Sequence, residues 1–200
     1  MLKSAVLRIA VLSIAAVAAA CMPRPGLDQS GRGDPARLTY AAPGTQILLL
    51  NAVNGQPSES RIQAAAPSGA RGAYTTADGR TGSFYPGCWG CGTGMQIEEE
   101  KYASLWPLET GKQTVFMRTA DDGQKARVVI RVAGLEEVKT NAGTFEAYVL
   151  DGRIEHVTGQ RYSAQVRAWW APGPGWVVKA EGGDSRGNTM SSQVAEIISP

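Results

Sequence analysis

An all-β fold, a curled antiparallel sheet closing toward an open barrel or sandwich, is what this sequence predicts from about residue 44 onward. Apolar and polar residues alternate over successive short runs, the pattern of half-buried strands. Glycine-bearing turn sequences punctuate those runs every ~8–12 residues, the spacing typical of sandwiches and barrels. The chain also carries 24 glycines and 11 prolines, a load that suits turn-rich β structure better than helix packing.

The residues before the sheet read as an export segment. Lys3 and Arg8 make a positive start, and Ile9–Ala20 is an apolar run broken only by Ser13. Such a run falls well short of the ~20 residues a spanning helix needs and matches the hydrophobic region of a signal peptide. Ala18-Ala19-Ala20 then meets Cys21. Small residues before a cysteine resemble the lipobox of bacterial lipoproteins, in which that cysteine is lipidated and becomes the mature N-terminus. Ala18 stands where that pattern usually has leucine. The other reading is a plain secretory signal cut after Ala20, with Cys21 merely next in line. The chain has 3 cysteines, and lipidation of Cys21 leaves Cys88 and Cys91 as an even pair. Met22 follows Cys21, and by resemblance to the sorting rule of enteric bacteria the lack of aspartate there favours the outer membrane.

Residues 21–43 are rich in proline, glycine and charge and show no apolar periodicity, so they read as a flexible tether. Arg32-Gly33-Asp34 spells an adhesion tripeptide, an expected chance match in such a segment. The expected organisation is therefore a signal over 1–20, a lipidated tether over 21–43 and a β domain over 44–200.

Within that domain the strands follow in order. Tyr74–Ala77 and Thr81–Tyr85 flank Asp78-Gly79, a two-residue hairpin signal. Glu98-Glu99-Glu100 suits a helix N-terminus and predicts a short helix near Glu98–Leu105. Asp121-Asp122-Gly123 joins Gln113–Thr119 to Lys125–Ala133, where Val128, Ile130 and Val132 oppose Arg127, Val129 and Arg131. Asn141-Ala142-Gly143 separates Glu137–Thr140 from Thr144–Leu150, a strand apolar on both sides and so central. Tyr162, Ala164, Val166 and Ala168 share one face of the next strand. Pro172-Gly173-Pro174-Gly175 then divides Trp169-Trp170 from Trp176–Lys179, and Ser185-Arg186-Gly187-Asn188 precedes Thr189–Ile198.

Four groups of residues carry a resemblance. They are Leu105-Trp106-Pro107-Leu108 with Gly111; Val132-x-Gly134-x-Glu136; Thr140-x-Ala142-Gly143-Thr144-Phe145-x-Ala147-Tyr148; and Trp170-Ala171-Pro172-Gly173-x-Gly175-Trp176-Val177-Val178-Lys179. In that order they resemble bacterial envelope proteins related to domain of unknown function 3108, over roughly residues 72–198. The resemblance implies a curled antiparallel β fold and an envelope location, and it implies no catalytic residues. The Gly87–Gly92 segment lies outside the pattern.

Charge narrows the function classes. Removing Lys3 and Arg8 from 20 basic residues leaves parity with the 18 acidic ones, which argues against nucleic acid or a polybasic membrane surface as partner. A single histidine argues against most histidine catalysis. No phosphate-binding glycine loop, nucleophile elbow or paired-carboxylate motif is present, so no cofactor and no catalytic residue is expected.

Cys88-Trp89-Gly90-Cys91 is the sharpest local candidate. A redox pair normally opens a helix after a strand, whereas Pro86-Gly87 and Gly92-Thr93-Gly94 frame a loop. A structural disulfide is the expectation, and a thiol-disulfide enzyme the alternative. Zinc would have to combine Cys88 and Cys91 with His156 and a carboxylate such as Asp151 or Glu155, which no spacing pairs; no metal is expected. His156 and Glu98-Glu99-Glu100 with Lys101 read as solvated. Trp106, Trp169, Trp170 and Trp176 cluster late in the chain, and adjacent Trp169 and Trp170 in a strand must face opposite ways. They either line a binding face for a hydrophobic ligand or an envelope protein, or both are core in a sheet covered on both sides. The resulting expectation is a non-catalytic binding lipoprotein held to the outer membrane through Cys21 and facing the periplasm, with a purely structural envelope protein as a further alternative.

Overall fold

The computed structural model describes residues 35–200. The expected signal, Cys21 and the tether up to residue 34 lie outside the described residues. Eleven strands form one antiparallel sheet: β1 Gln46–Val53, β2 Gln56–Ser68, β3 Arg71–Thr76, β4 Thr81–Phe84, β5 Met95–Ile97, β6 Gln113–Ala120, β7 Lys125–Thr140, β8 Gly143–His156, β9 Ser163–Ala171, β10 Trp176–Asp184 and β11 Thr189–Ile198. One helix, α1 Glu99–Ala103, sits between β5 and β6. The spatial order is β4-β3-β2-β1-β11-β10-β9-β8-β7-β6-β5, so the sheet stays open, with β4 and β5 at its edges. The all-β class stands, as one open sheet rather than a two-sheet sandwich.

Local chemistry explains the hairpins. Asn54 (φ 51) and Gly55 (φ 76) supply both left-handed residues of the turn joining β1 to β2. The Lys125–Ala133 strand and the run Glu137–Thr140, expected as separate pieces, are one strand. Gly134 does not break it, because a bulge between Val132 and Gly134 absorbs one extra residue while pairing with β8 continues to the hairpin tip.

Two buried clusters hold the sheet. The first contains Val128, Ile130, Val132, Tyr148, Leu150, Ala168 and Trp170 under Tyr85, Cys88, Cys91, Tyr102, Leu105 and Leu108 of the segment linking β4 to β6. The second contains Ala147, Val149, Trp169, Val178 and Val194, with Val138, Ala142 and Phe145 from the tip of the β7–β8 hairpin. That tip is tied across the sheet by the Ala142 N–H donating to the Val194 carbonyl at 3.4 Å. Both faces around β9 are therefore covered.

Residues 36–43, expected within the tether, are held against the domain. Ala36 and Leu108 exchange backbone hydrogen bonds of 3.2 and 2.8 Å, and Ala41 donates to the Gly175 carbonyl at 3.1 Å. Tyr40 donates to the Ala70 carbonyl at 2.6 Å. Residues 36–43 are thus part of the packed body, fixed by partners far away in sequence that composition does not reveal.

The acidic run is structural too. The Glu98 carboxylate accepts the Met117 N–H at 2.8 Å and pairs with Lys101 at 2.7 Å, while Glu99 accepts the Ala70 N–H at 2.8 Å. These bonds seat α1 against β6 and the β2–β3 turn, so the run is more than a solvated face.

Candidate functional site

The four tryptophans singled out by the sequence do not form one exposed surface. Trp170 is fully buried (0 %), and Trp169 and Trp176 are 6 % exposed. Trp170 packs edge-on against half-buried Trp106 with ring centroids 4.8 Å apart. Trp169 donates its indole N–H to Glu136 at 3.0 Å and lies under Lys179, 4.5 Å from the ring centre. Strand alternation sends the adjacent rings opposite ways, and since both faces are covered, both rings become core. Trp106 also borders an open hollow of about 760 Å³ with Leu38, Tyr40, Ala70 and Ala103.

Cys88 and Cys91 stand at disulfide distance with Cα atoms 5.5 Å apart. Both are buried, in a loop that joins the two edge strands of the sheet. The loop is held down at several points. Cys88 donates to the Tyr85 carbonyl at 2.9 Å, and the Thr93 hydroxyl accepts the Ser83 N–H of β4 at 3.1 Å. Gly87 and Gly90 take positive φ values of 75° and 67°, conformations that glycine adopts without penalty. No helix starts at Cys88, and burial keeps both sulfurs from the exposure a reactive thiolate requires. Replacing both cysteines by serine is expected to cost about 2 kcal/mol, because so short a closed ring removes little chain entropy. Urea unfolding of the double variant checks this, and a loss far above that value would mean the pair organises more than its own loop.

The loop presents Trp89 outward. Trp89 (41 % exposed) and Val53 (55 %) are two of the four large apolar side chains left exposed among the described residues. Both line a cleft of about 240 Å³, which Tyr162, Ala164, Asp184 and Met190 complete. Trp89 is not among the residues expected to form a site, because its neighbours in sequence do not show which side chain the loop turns to solvent. Its glycine-framed loop position was the available signal.

Behind the cleft wall lies a polar cluster built by strand register. Arg118 on β6 pairs with Ala126 on β7, which pairs with His156 on β8. Arg118 is only 8 % exposed; its Nη1 donates to the Gly90 carbonyl and its Nη2 lies 3.4 Å from His156 Nε2. A guanidinium can only donate, so Nε2 is the acceptor and the ring is neutral with its proton on Nδ1. That Nδ1 is buried without a hydrogen-bond partner. Burial, then the charges of Arg118 and Arg186, push His156 below the usual imidazole range. Burial likewise lowers Arg118 and raises Tyr162. The Tyr162 ring packs 4.9 Å from His156 on one contact and 5.3 Å from the Arg186 guanidinium on another. His156, read as solvated, is therefore tied to Arg118 and Tyr162, and the cysteines are tied to each other.

The class these features define is an open, single-sheet antiparallel β domain whose edges are joined by a Cys-x-x-Cys loop. Residues 112–195, from the start of β6 into β11, match the family described as DUF3108-like. The match takes in the three later motif groups and leaves out Leu105–Gly111 and the Cys88–Cys91 loop. Among solved structures, the chain is similar to the hypothetical lipoprotein YmcC from Escherichia coli, at 10% identity and a TM-score of 0.48 over 78% of this chain and 85% of that one. It is similar at 13% identity and a TM-score of 0.49 to a candidate lipoprotein from Parabacteroides distasonis, covering 82% of this chain and 100% of that one. A Bacteroides fragilis protein with a YmcC-like fold also shows 13% identity and a TM-score of 0.49, over 82% and 99% of the two chains. No curated protein matches the chain.

Proposed function

We propose that this protein is a lipoprotein anchored through Cys21 to the outer membrane and facing the periplasm, whose β domain binds a small hydrophobic ligand without catalysis. The cleft between Trp89 and Tyr162 is the site. The observation that carries this reading is the position of Trp89, an exposed indole held on an anchored loop at the mouth of an apolar hollow. A binding pocket typically combines such apolar lining with a few fixed polar groups, here Asp184, Gln165 and Asn188. The anchor is supported by the signal-like leader and the small residues before Cys21. The buried state of the Cys88–Cys91 pair supports a loop-stabilising role over a redox one.

The test is native mass spectrometry of the exported protein carrying Cys21→Ser, purified without detergent. A copurifying lipid-sized adduct is expected, and Trp89→Ala should abolish it while leaving the fold intact, since Trp89 is a surface residue. Absence of any adduct, or an adduct indifferent to Trp89→Ala, would sink the assignment of this cleft.

A further inference from the structure

We infer that the Trp89 cleft takes a cationic amphiphile, an apolar chain ending in a quaternary ammonium, with the cation held by the Trp89 indole and the Asp184 carboxylate. This rests on the binding reading above and adds the chemical class of the ligand. Asp184 is the one charged residue in the cleft wall, and no lysine, arginine or histidine lines it. The Asn188 side chain, then the backbone N–H groups of Asn188 and Arg186, hold the Asp184 carboxyl below the usual carboxylate range, so it is ionised at neutral pH. Trp89 is exposed, and no ring or cation packs on its indole among the described residues. An indole is the best aromatic surface for a cation, because the ring quadrupole places negative charge on its faces.

The same wall decides the kind of cation. Asp184 Oδ1 accepts the backbone N–H groups of Arg186 and Asn188 at 2.9 and 3.0 Å, and Oδ2 accepts the Asn188 side-chain amide at 2.9 Å. Those donors occupy most of the carboxylate lone pairs and leave its negative charge in place. A quaternary ammonium has no N–H to donate, so it draws on that charge and on the indole face without needing a free acceptor. Its methyl groups also suit the rest of the wall, where Val53, Ala164 and Met190 are apolar. A primary ammonium brings three N–H donors and would leave some of them unpaired in the same place. The nearby arginines stand outside the lining and are engaged elsewhere. Arg118 donates to the Gly90 carbonyl and lies against His156, while Arg186 donates to Gln160 and lies over Tyr162. Arg186 thus takes the Tyr162 ring, which leaves Trp89 as the aromatic face open to a ligand.

Calorimetric titration of the exported Cys21→Ser protein with octyltrimethylammonium, octylammonium and 1-octanol tests this. Octyltrimethylammonium is expected to bind at least about tenfold more tightly than 1-octanol, and more tightly than octylammonium. Trp89→Leu, at an exposed position where folding is not at stake, should lower the ratio of trimethylammonium to alcohol affinity about two- to fivefold, the worth of an exposed cation–π contact. Asp184→Asn, which keeps an oxygen for the two backbone N–H groups, should lower that ratio as well. Raising the salt from about 0.01 to about 0.15 M shortens the Debye length from ~30 to ~8 Å. That change should weaken binding of the cation and leave the alcohol unaffected, a check that needs no variant. Equal binding of cation and alcohol overturns the inference while the cleft stands. Octylammonium binding as tightly as octyltrimethylammonium overturns the choice of a quaternary cation. A cation preference unchanged in both variants overturns the assignment to these two groups. Failure of all three probes to bind overturns the cleft itself along with the inference.

Discussion

Trp170→Ala is expected to destabilise the domain by about 3–5 kcal/mol, the range for removing a fully buried aromatic. The indole is completely enclosed, with Trp106 against its ring and Leu150, Val132 and Ala168 in the same cluster. None of these neighbours can collapse into the space easily, because β7, β8 and β9 are locked in register around it. Against a typical total of about 5–15 kcal/mol, that loss would leave the domain marginal or unfolded. Trp89→Ala, at the other extreme of exposure, should stay within about 0.5 kcal/mol. Chemical unfolding of the two variants side by side measures the contrast. Comparable losses would falsify the division of the tryptophans into core and surface.

Gly152→Ala should be among the most damaging single methyl additions in the sheet. A Cβ there would run into the Gly87 carbonyl oxygen and stand 2.8 Å from Val166 Cγ1. Gly87 is close-packed as well, its own Cβ position lying 3.0 Å from Leu150 Cβ. Two glycines facing each other therefore let the Cys88–Cys91 loop lie directly on β8. The added methyl has to lift the loop or shift the strand, a cost of about 1–3 kcal/mol for overpacking. A lifted loop exposes the sulfurs, so the expected readout is faster reduction of the pair by dithiothreitol together with a lower unfolding midpoint. Gly173→Ala, where nothing lies within 4 Å, is the neutral control. Unchanged reduction kinetics in Gly152→Ala would mean that the loop is held by its own bonds and not by this contact.

Much of the second half of the chain was readable from local pattern. The alternation in Lys125–Val132, Tyr162–Ala168 and Thr189–Ile198 marks β7, β9 and β11, and the turn sequences at Asp121–Gly123 and Pro172–Gly175 fall where the strands reverse, as Asp78-Gly79 does earlier in the chain. These features are local because a strand's faces and a turn's φ values are set by neighbouring residues. Three of the four motif groups lie in the same stretch, within the matched segment 112–195.

The candidate site was not legible in the same way. Arg118 and His156 are 38 residues apart, and each reads as one more polar position in an alternating run. Only the register of β6, β7 and β8 puts them side by side, and only the Gly90 carbonyl, delivered by a loop between the two sheet edges, buries the guanidinium. The tryptophans teach the same lesson from the other side. Alternation dictated that Trp169 and Trp170 point opposite ways, but whether either would meet solvent rested on remote segments, the linker over one face and the β7–β8 tip over the other. The backbone pattern, the turns and the signal-like leader were settled by residues adjacent in sequence. Burial, and with it the shift of the site from four enclosed indoles to Trp89, was settled by contacts between residues far apart, because removal from water depends on what the whole chain brings to a surface.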